Sequence, residues 1–448
     1  MKRKIYNRLL DWKAQWDGKS AILIDGARRV GKSYIAEEFA RNEYKSYLLI
    51  DFNNTSRQIK QLFEEKLDDL NTFFRQLSLL TGVKFYERQT VIIFDEVQLY
   101  PRARAAIKYL VADGRYDYIE TGSLVSINRN VKDIVIPSEE ERVDMFPMDF
   151  EEFLWATGND MLMPYIREHY LDMQLMGAAI HRKAMELFRL YMIVGGMPQA
   201  VQEYIISKDF DRVDHIKRNI LKLYRSDISK YAYGEEQKVT RIFDQIPSML
   251  QRHEKRFRIG DIKLGARSRD YEKSLFWLEE SRVANICYAT TAPNVGLELN
   301  KEQYKFKLYL ADTGLLISQA FGERDELNEL YRKLMFDKLE VNKGMLVENI
   351  VAQMLKASGK ELFYYSAYSD KADDRMEIDF LIRKPHVTSR HNISPIEVKS
   401  SNRYTLSSLR KCIKKFSAYT TTPYVLHSGD LKIDEGIVYL PLYMTPLL

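Results

Sequence analysis

Cysteine is almost missing from this chain. Only Cys287 and Cys412 occur in 448 residues, in unrelated contexts and with no C-x-x-C pair, so neither a disulfide framework nor a thiolate zinc site is indicated. The seven histidines are scattered without an H-x-x-x-H or His/Cys cluster, which argues against a zinc enzyme. His386 and His391 fall between two strand-like runs and read as exposed turn residues. Long apolar runs are lacking too: stretches such as TVIIF fall far short of the roughly 20 residues that span a bilayer. The basic start, MKRKIYNRLLDWKAQW, has no continuous apolar core of a signal peptide and reads as an amphipathic helix. A reducing cytoplasm and no membrane partner are therefore expected. No internal repeat or low-complexity tract stands out.

What remains is a globular composition, 45% hydrophobic and 29% charged, long enough for two or three domains at about 100–200 residues each. The net charge of +5 is a mild excess, compatible with nucleic acid and far from establishing it. From residue 21 to about 155, the runs AILIDG, SYLLIDFN, TVIIFDE and YDYIETG alternate with helical stretches, the pattern of a parallel α/β sheet with crossover helices. The next region is mainly helical. Within it, FRIGDIKLGARSRDYEKSLFWLEESRVANICYAT gives helix, Gly-containing turn, helix and strand, the order of a winged helix, with Arg269 and Lys273 on the second helix. Strand-like runs return after about residue 300 in a further α/β region. The expected division is thus 1–155, 156–235, 236–300 and 301–448.

In GARRVGKS, residues Gly26, Ala27, Arg28, Arg29, Val30, Gly31, Lys32 and Ser33 stand at the G-x-x-x-x-G-K-[ST] spacing of a loop that wraps phosphates. Its glycines admit backbone N–H groups to phosphate oxygens, its lysine meets the β and γ phosphates, and its hydroxyl serves Mg²⁺. VIIFDE then ends a buried strand in two carboxylates, with Asp95 in position to hold Mg²⁺ and Glu96 to polarise the attacking water. ATP and Mg²⁺ are the cofactors expected. A third strand ends in Thr121 and Ser123, either γ-phosphate sensors or plain turn residues. Arg142 is a candidate trans-acting arginine, and Arg28 and Arg29 read as either solvated or facing a neighbouring subunit.

Taken together, GARRVGKS, VIIFDEVQLYPRA, IETGSL, RVDMFPMDFEEFL and VGGMPQAV resemble the prokaryotic AAA+ superfamily ATPases that carry a C-terminal domain of unknown function with nuclease-like motifs. The resemblance extends over nearly the whole chain. It implies an N-terminal P-loop AAA+ core, a helical and winged-helix middle, a C-terminal α/β domain similar to restriction endonucleases, and a homo-oligomer. Ser33 stands where many members have Thr, which keeps the hydroxyl.

In MEIDFLI, Glu377 and Asp379 share one face of a strand, and in SPIEVKS, Glu397 and Lys399 share another, because strand side chains alternate. If the two strands form a hairpin, Asp379, Glu397 and Lys399 converge, with Asp379 and Glu397 as metal ligands. Two carboxylates and a lysine so placed suit Mg²⁺-assisted attack on a phosphodiester, the logic of PD-(D/E)xK nucleases. The proline before the aspartate is replaced by Ile378. Glu348, at the edge of the apolar stripe of GMLVENIVAQML, is a third acidic candidate, as in some members of that superfamily. The helix after Lys399 presents Arg403, Arg410, Lys411, Lys414 and Lys415 outward, a solvated face by default and a DNA-backbone surface beside such a site. Two functions follow: an ATPase coupled to a nuclease acting on DNA, or an ATP-dependent switch that binds a protein partner through an inactive nuclease-like fold.

Overall fold

The computed structural model describes residues 1–122, 138–252, 257, 268–294, 296–322, 324–336, 338, 343–368, 375–384, 391–401 and 403–448. It divides into two compact units, Met1–Phe146 with Glu280–Arg282, and Pro147–Glu279 with Val283–Leu448. Among the described residues no helix is long and apolar enough to cross a membrane.

The first unit opens with helix α1 (Ile5–Trp16) and then alternates β1 (Ala21–Asp25), α2 (Lys32–Glu43), β2 (Ser46–Asp51), α3 (Arg57–Glu65), α4 (Leu70–Thr81), β3 (Thr90–Asp95), α5 (Pro101–Asp113), β4 (Asp117–Gly122) and β5 (Glu140–Asp144). The strands form one parallel sheet in the order β2-β3-β4-β1-β5. Every residue of β1, β3 and β4 is buried, as parallel strands covered on both faces require. On one side Phe52, Phe63, Phe73 and Phe94 meet edge to face with ring centroids 5.1–5.9 Å apart, contacts worth about 0.5–1.5 kcal/mol each beyond the area they bury. Because β1 lies between β4 and β5, the strand order switches there. The crevice at the carboxyl end of such a strand is where open α/β sheets bind ligands.

The second unit begins with helices, including Phe150–Ala156, α6 (Ala178–Val194) and α7 (Pro198–Ser207), and continues through Phe210–Tyr231 and Glu236–Gln251. Helical structure therefore runs past residue 235. An eight-stranded sheet follows, built from β6 (Ala284–Thr290), β7 (Lys301–Leu310), β8 (Phe363–Ala367), β9 (Met376–Arg383), β10 (Ile393–Val398), β11 (Tyr424–His427), β12 (Lys432–Asp434) and β13 (Ile437–Pro441). Its order is β12-β13-β11-β10-β9-β8-β6-β7. Helices α8 (Thr313–Ala320), α9 (Lys343–Ala357) and α10 (Ser407–Lys415) lie between its strands in sequence.

β6 and β7 form an antiparallel hairpin, and β6 continues the sheet by pairing parallel with β8. The division expected at residues 300 and 301 therefore falls between the strands of one hairpin. The physical reason is in β7, whose last five residues, Phe306–Leu310, are all buried and must be covered. Of the winged-helix order, the helix Glu272–Glu280 and the strand β6 are present, and Lys273 is exposed. Residues 258–267 and the side chain of Arg269 lie outside the described residues.

The VGGMP stretch has a packing role. Gly195 has φ +83, and a Cβ there would lie 2.4 Å from Asp312 Oδ1. One on Gly314 would lie 2.6 Å from Gly195 Cα, and one on Gly196 2.2 Å from the Met148 carbonyl. Asp312, wholly buried, accepts the Gly196 N–H at 2.5 Å and the Leu315 N–H at 2.8 Å. The end of α6 and the start of α8 thus approach backbone to backbone, which only glycine permits.

Candidate functional site

In the first unit β1 ends at Asp25 and the chain turns through Gly26–Gly31 into α2. A Cβ on Gly26 would sit 2.2 Å from the Met145 carbonyl, and Gly31, the residue before α2, has φ 99, so both positions exclude a side chain. Ala27 and Val30 are buried anchors, while Arg28 and Arg29 are exposed, Arg29 in a left-handed conformation with φ 73. Arg3 braces the loop by donating to the Val30 and Phe146 carbonyls, both at 2.7 Å.

Lys32 is buried and donates to the carbonyls of Gly26 at 2.8 Å and Ala27 at 3.0 Å. Burial holds its ammonium pKa below the usual value, against the pull of Glu96, Asp25 and Asp95. Ser33 Oγ donates to Asp95 Oδ1 at 2.7 Å, and Thr121 Oγ1 donates to the same oxygen. The Glu96 N–H reaches Thr121 Oγ1 at 3.3 Å. Glu96 itself adopts φ 53 and ψ 47, an uncommon left-handed setting that turns its side chain away from the strand direction, and Gln98 donates to its carboxylate. Residues from three separate segments, Lys32–Ser33, Asp95–Gln98 and Thr121, are thus brought to one crevice. A hydroxyl beside a carboxylate is a hard oxygen donor set of the kind Mg²⁺ takes with a phosphate. Ser123 lies outside the described residues.

Arg142 sits on β5 opposite Leu23 and is tied to its own chain, 2.8 Å from Asp25 and 3.6 Å from Asp144. Arg282 meets the same two carboxylates, at 3.4 Å and 2.7 Å. Arg142 was expected to reach a neighbouring molecule. Here its partner is the fully buried Asp25, directly before the loop, a carboxylate that needs a cation once removed from water.

In the second unit β9 and β10 are antiparallel neighbours, with Phe380 opposite Ile396. The Val398 N–H donates to Asp379 Oδ2 at 2.8 Å, and Lys399 donates to Glu397. Asp379, Glu397, Lys399 and Glu348 line one cavity of about 400 Å³ together with Glu377. Burial, and then the charge of Asp379, push the Glu397 carboxyl up to about 7 although Lys399 opposes them. Two carboxylates that repel in this way suit a cation between them, and both keep oxygen lone pairs to offer one. The outward residues Arg410, Lys414 and Lys415 of α10 are exposed, as is Arg403, and Lys411 is partly exposed.

One residue of this centre was not foreseen. Lys307, on β7, has a side chain 1% exposed and stands 2.8 Å from Glu377, 3.3 Å from Glu348 and 3.8 Å from Asp379. Its strand neighbour Tyr309 donates to Glu348. Burial works against this ammonium, yet Glu377 and Asp379 hold its pKa above the usual value. Among the described residues no set of three or more His, Cys, Asp or Glu side chains is arranged around one metal position. Lys307 stands within this acidic cluster, in contact with Glu348, Glu377 and Asp379. A lysine within the run KFKLYL was the available signal.

Residues 18–154 match the AAA domain family, residues 185–326 a domain of unknown function (DUF8612), and residues 343–444 a second (DUF4143). An uncharacterized protein of Methanocaldococcus jannaschii is 20% identical over 95% of this chain and 84% of its own length. Among solved structures, a Walker-type ATPase of Pyrococcus abyssi is 15% identical over 71% of this chain and 96% of its own, with a TM-score of 0.39. The Aeropyrum pernix ORC1 protein in complex with DNA is 12% identical over 72% and 93%, with a TM-score of 0.24. The AAA match coincides with the five-stranded parallel sheet and its loop, and this segment of the chain is a P-loop ATPase-like AAA domain.

Proposed function

We propose that the first unit binds and hydrolyses ATP with Mg²⁺ and that the second carries a metal-dependent nuclease of the PD-(D/E)xK type acting on DNA. For the first unit the support is the single network joining Ser33, Asp95, Thr121 and Glu96 beside the buried Lys32. Lys32 would exchange its loop carbonyls for phosphate oxygens, Ser33 and Asp95 would hold Mg²⁺, and Glu96 would accept a proton from the attacking water.

For the second unit the observation that carries the reading is the convergence of Asp379, Glu397 and Lys399 on one cavity, on adjacent strands between two helices. The order from α9 through β8, β9, β10 and α10 to β11 is one helix, three antiparallel strands, a helix and a parallel strand, in keeping with a restriction-endonuclease-like domain. Asp379 and Glu397 would hold Mg²⁺, which lowers the pKa of a bound water and polarises the phosphoryl oxygen. Lys399 would orient the attacking water, and the basic face of α10 would offer charge to the DNA backbone.

The rival reading, a nucleotide-dependent switch whose nuclease-like fold only docks a protein, draws on one observation, the ammonium of Lys307 within the acidic cluster. Incubating the purified chain with labelled DNA and Mn²⁺ separates the two. Cleavage lost in Lys399→Ala, with ATP turnover intact, supports the nuclease; no cleavage in any nucleotide state leaves the switch.

A further inference from the structure

We propose that Lys307 is a built-in cation that takes the second metal position of this centre, leaving room for one divalent ion at Asp379 and Glu397. The proposal rests on the nuclease reading above. Two-metal phosphodiesterase sites hold their ions about 3.5–4 Å apart, bridged by a shared carboxylate. Asp379 has that bridging place, with Oδ1 facing Lys307 at 3.8 Å and Oδ2 on the β10 side, where it meets the Val398 N–H. Beyond Asp379, the ammonium contacts Glu377 and Glu348, the oxygens a second ion would otherwise recruit.

The lysine is fixed in place. Its side chain is 1% exposed, its ammonium lies over the Tyr364 ring at 5.0 Å, and Tyr309 holds Glu348 from the same strand face. Removing a buried cation from three carboxylates would leave their charges uncompensated, which is far costlier than leaving the cluster intact. Charge balance gives the same count. Four carboxylates face the two ammonium groups of Lys307 and Lys399, so one divalent ion neutralises the centre, whereas without Lys307 one ion leaves a negative charge that draws a second. Lys307 lies outside the segment that matches DUF4143, so the second unit completes the centre with a strand from elsewhere in the chain.

The test is calorimetric titration with MnCl₂ at pH 8 without nucleotide, on full chains carrying Asp95→Asn so that the first unit contributes no ion. About one ion is expected, lost in Asp379→Asn, and about two in Lys307→Met. Two ions in the chain that keeps Lys307, or one in Lys307→Met, overturn the proposal while leaving the nuclease reading standing. No ion in the chain that keeps Lys307 removes both. Should Lys307→Met not fold, Glu377→Gln decides: one ion retained is the expected result, and its loss makes Glu377 a metal ligand and refutes the assignment.

Discussion

Replacing Glu397 by glutamine should abolish cleavage and stabilise the fold at the same time. The Glu397 carboxyl is raised from 4.5 to about 7, first by burial and then by Asp379. Because the folded value lies above the unfolded one, the penalty is absent below about pH 4.5, grows as the pH rises, and is complete above about 7. At roughly 1.4 kcal/mol per pH unit it amounts to about 3 kcal/mol. Glutamine removes the charge and keeps the shape. The attraction of Lys399 for the charged carboxyl is already contained in that raised value, so the expected gain stays at about 3 kcal/mol. Urea denaturation in EDTA should show Glu397→Gln more stable than the parent at pH 8, less so at pH 6, and equal at pH 4. In chains that also carry Asp95→Asn, adding Mn²⁺ should stabilise the one that keeps Glu397 and leave the Glu397→Gln variant unchanged. A variant no more stable at pH 8, or a difference that does not change with pH, would refute the reasoning.

Lys32→Ala should weaken ATP binding at least tenfold in a fluorescent-nucleotide titration, since its buried ammonium sits against the loop carbonyls of Gly26 and Ala27. Glu96→Gln should bind ATP normally and turn it over about 10²-fold more slowly in a phosphate-release assay, the usual contribution of a general base. Gly314→Ala sets two effects against each other within α8. Helix propensity favours alanine by about 1 kcal/mol, but its Cβ would lie 2.6–2.7 Å from three backbone atoms of Val194 and Gly195, and overpacking of that kind costs about 1–3 kcal/mol. Packing should win, giving a lower melting temperature; an unchanged or higher one would mean the α6–α8 approach is looser than described.

The parts of both centres that were legible in the sequence are those whose spacing is enforced locally. The loop from Gly26 to Ser33 and the pair Asp95–Glu96 are set by a strand-to-helix turn and a strand end, and period-two alternation alone puts Glu397 beside Lys399. Their convergence with Thr121, and of Asp379 with Glu397, followed from the same strand logic. Lys307 was hidden because its partners lie 41 residues or more further on, across a sheet whose pairing of β6 with β8 no local pattern announces. A single lysine in a strand is ordinarily a solvated side chain. The pairing of Arg142 with Asp25 was hidden for a similar reason: the buried Asp25 becomes its neighbour only when β5 pairs beside β1. The boundary expected at residues 300 and 301 divides the hairpin of β6 and β7 because the sequence of β6 reads equally well as a wing or as a sheet strand.

The most direct test of the central claim is a time course of phosphodiester cleavage on circular duplex DNA, with ATP and Mn²⁺, comparing the parent chain with Asp379→Asn at equal ATP turnover. The account predicts nicking by the parent that disappears in the variant and in EDTA. Intact DNA with the parent, or equal nicking by both proteins, would contradict it.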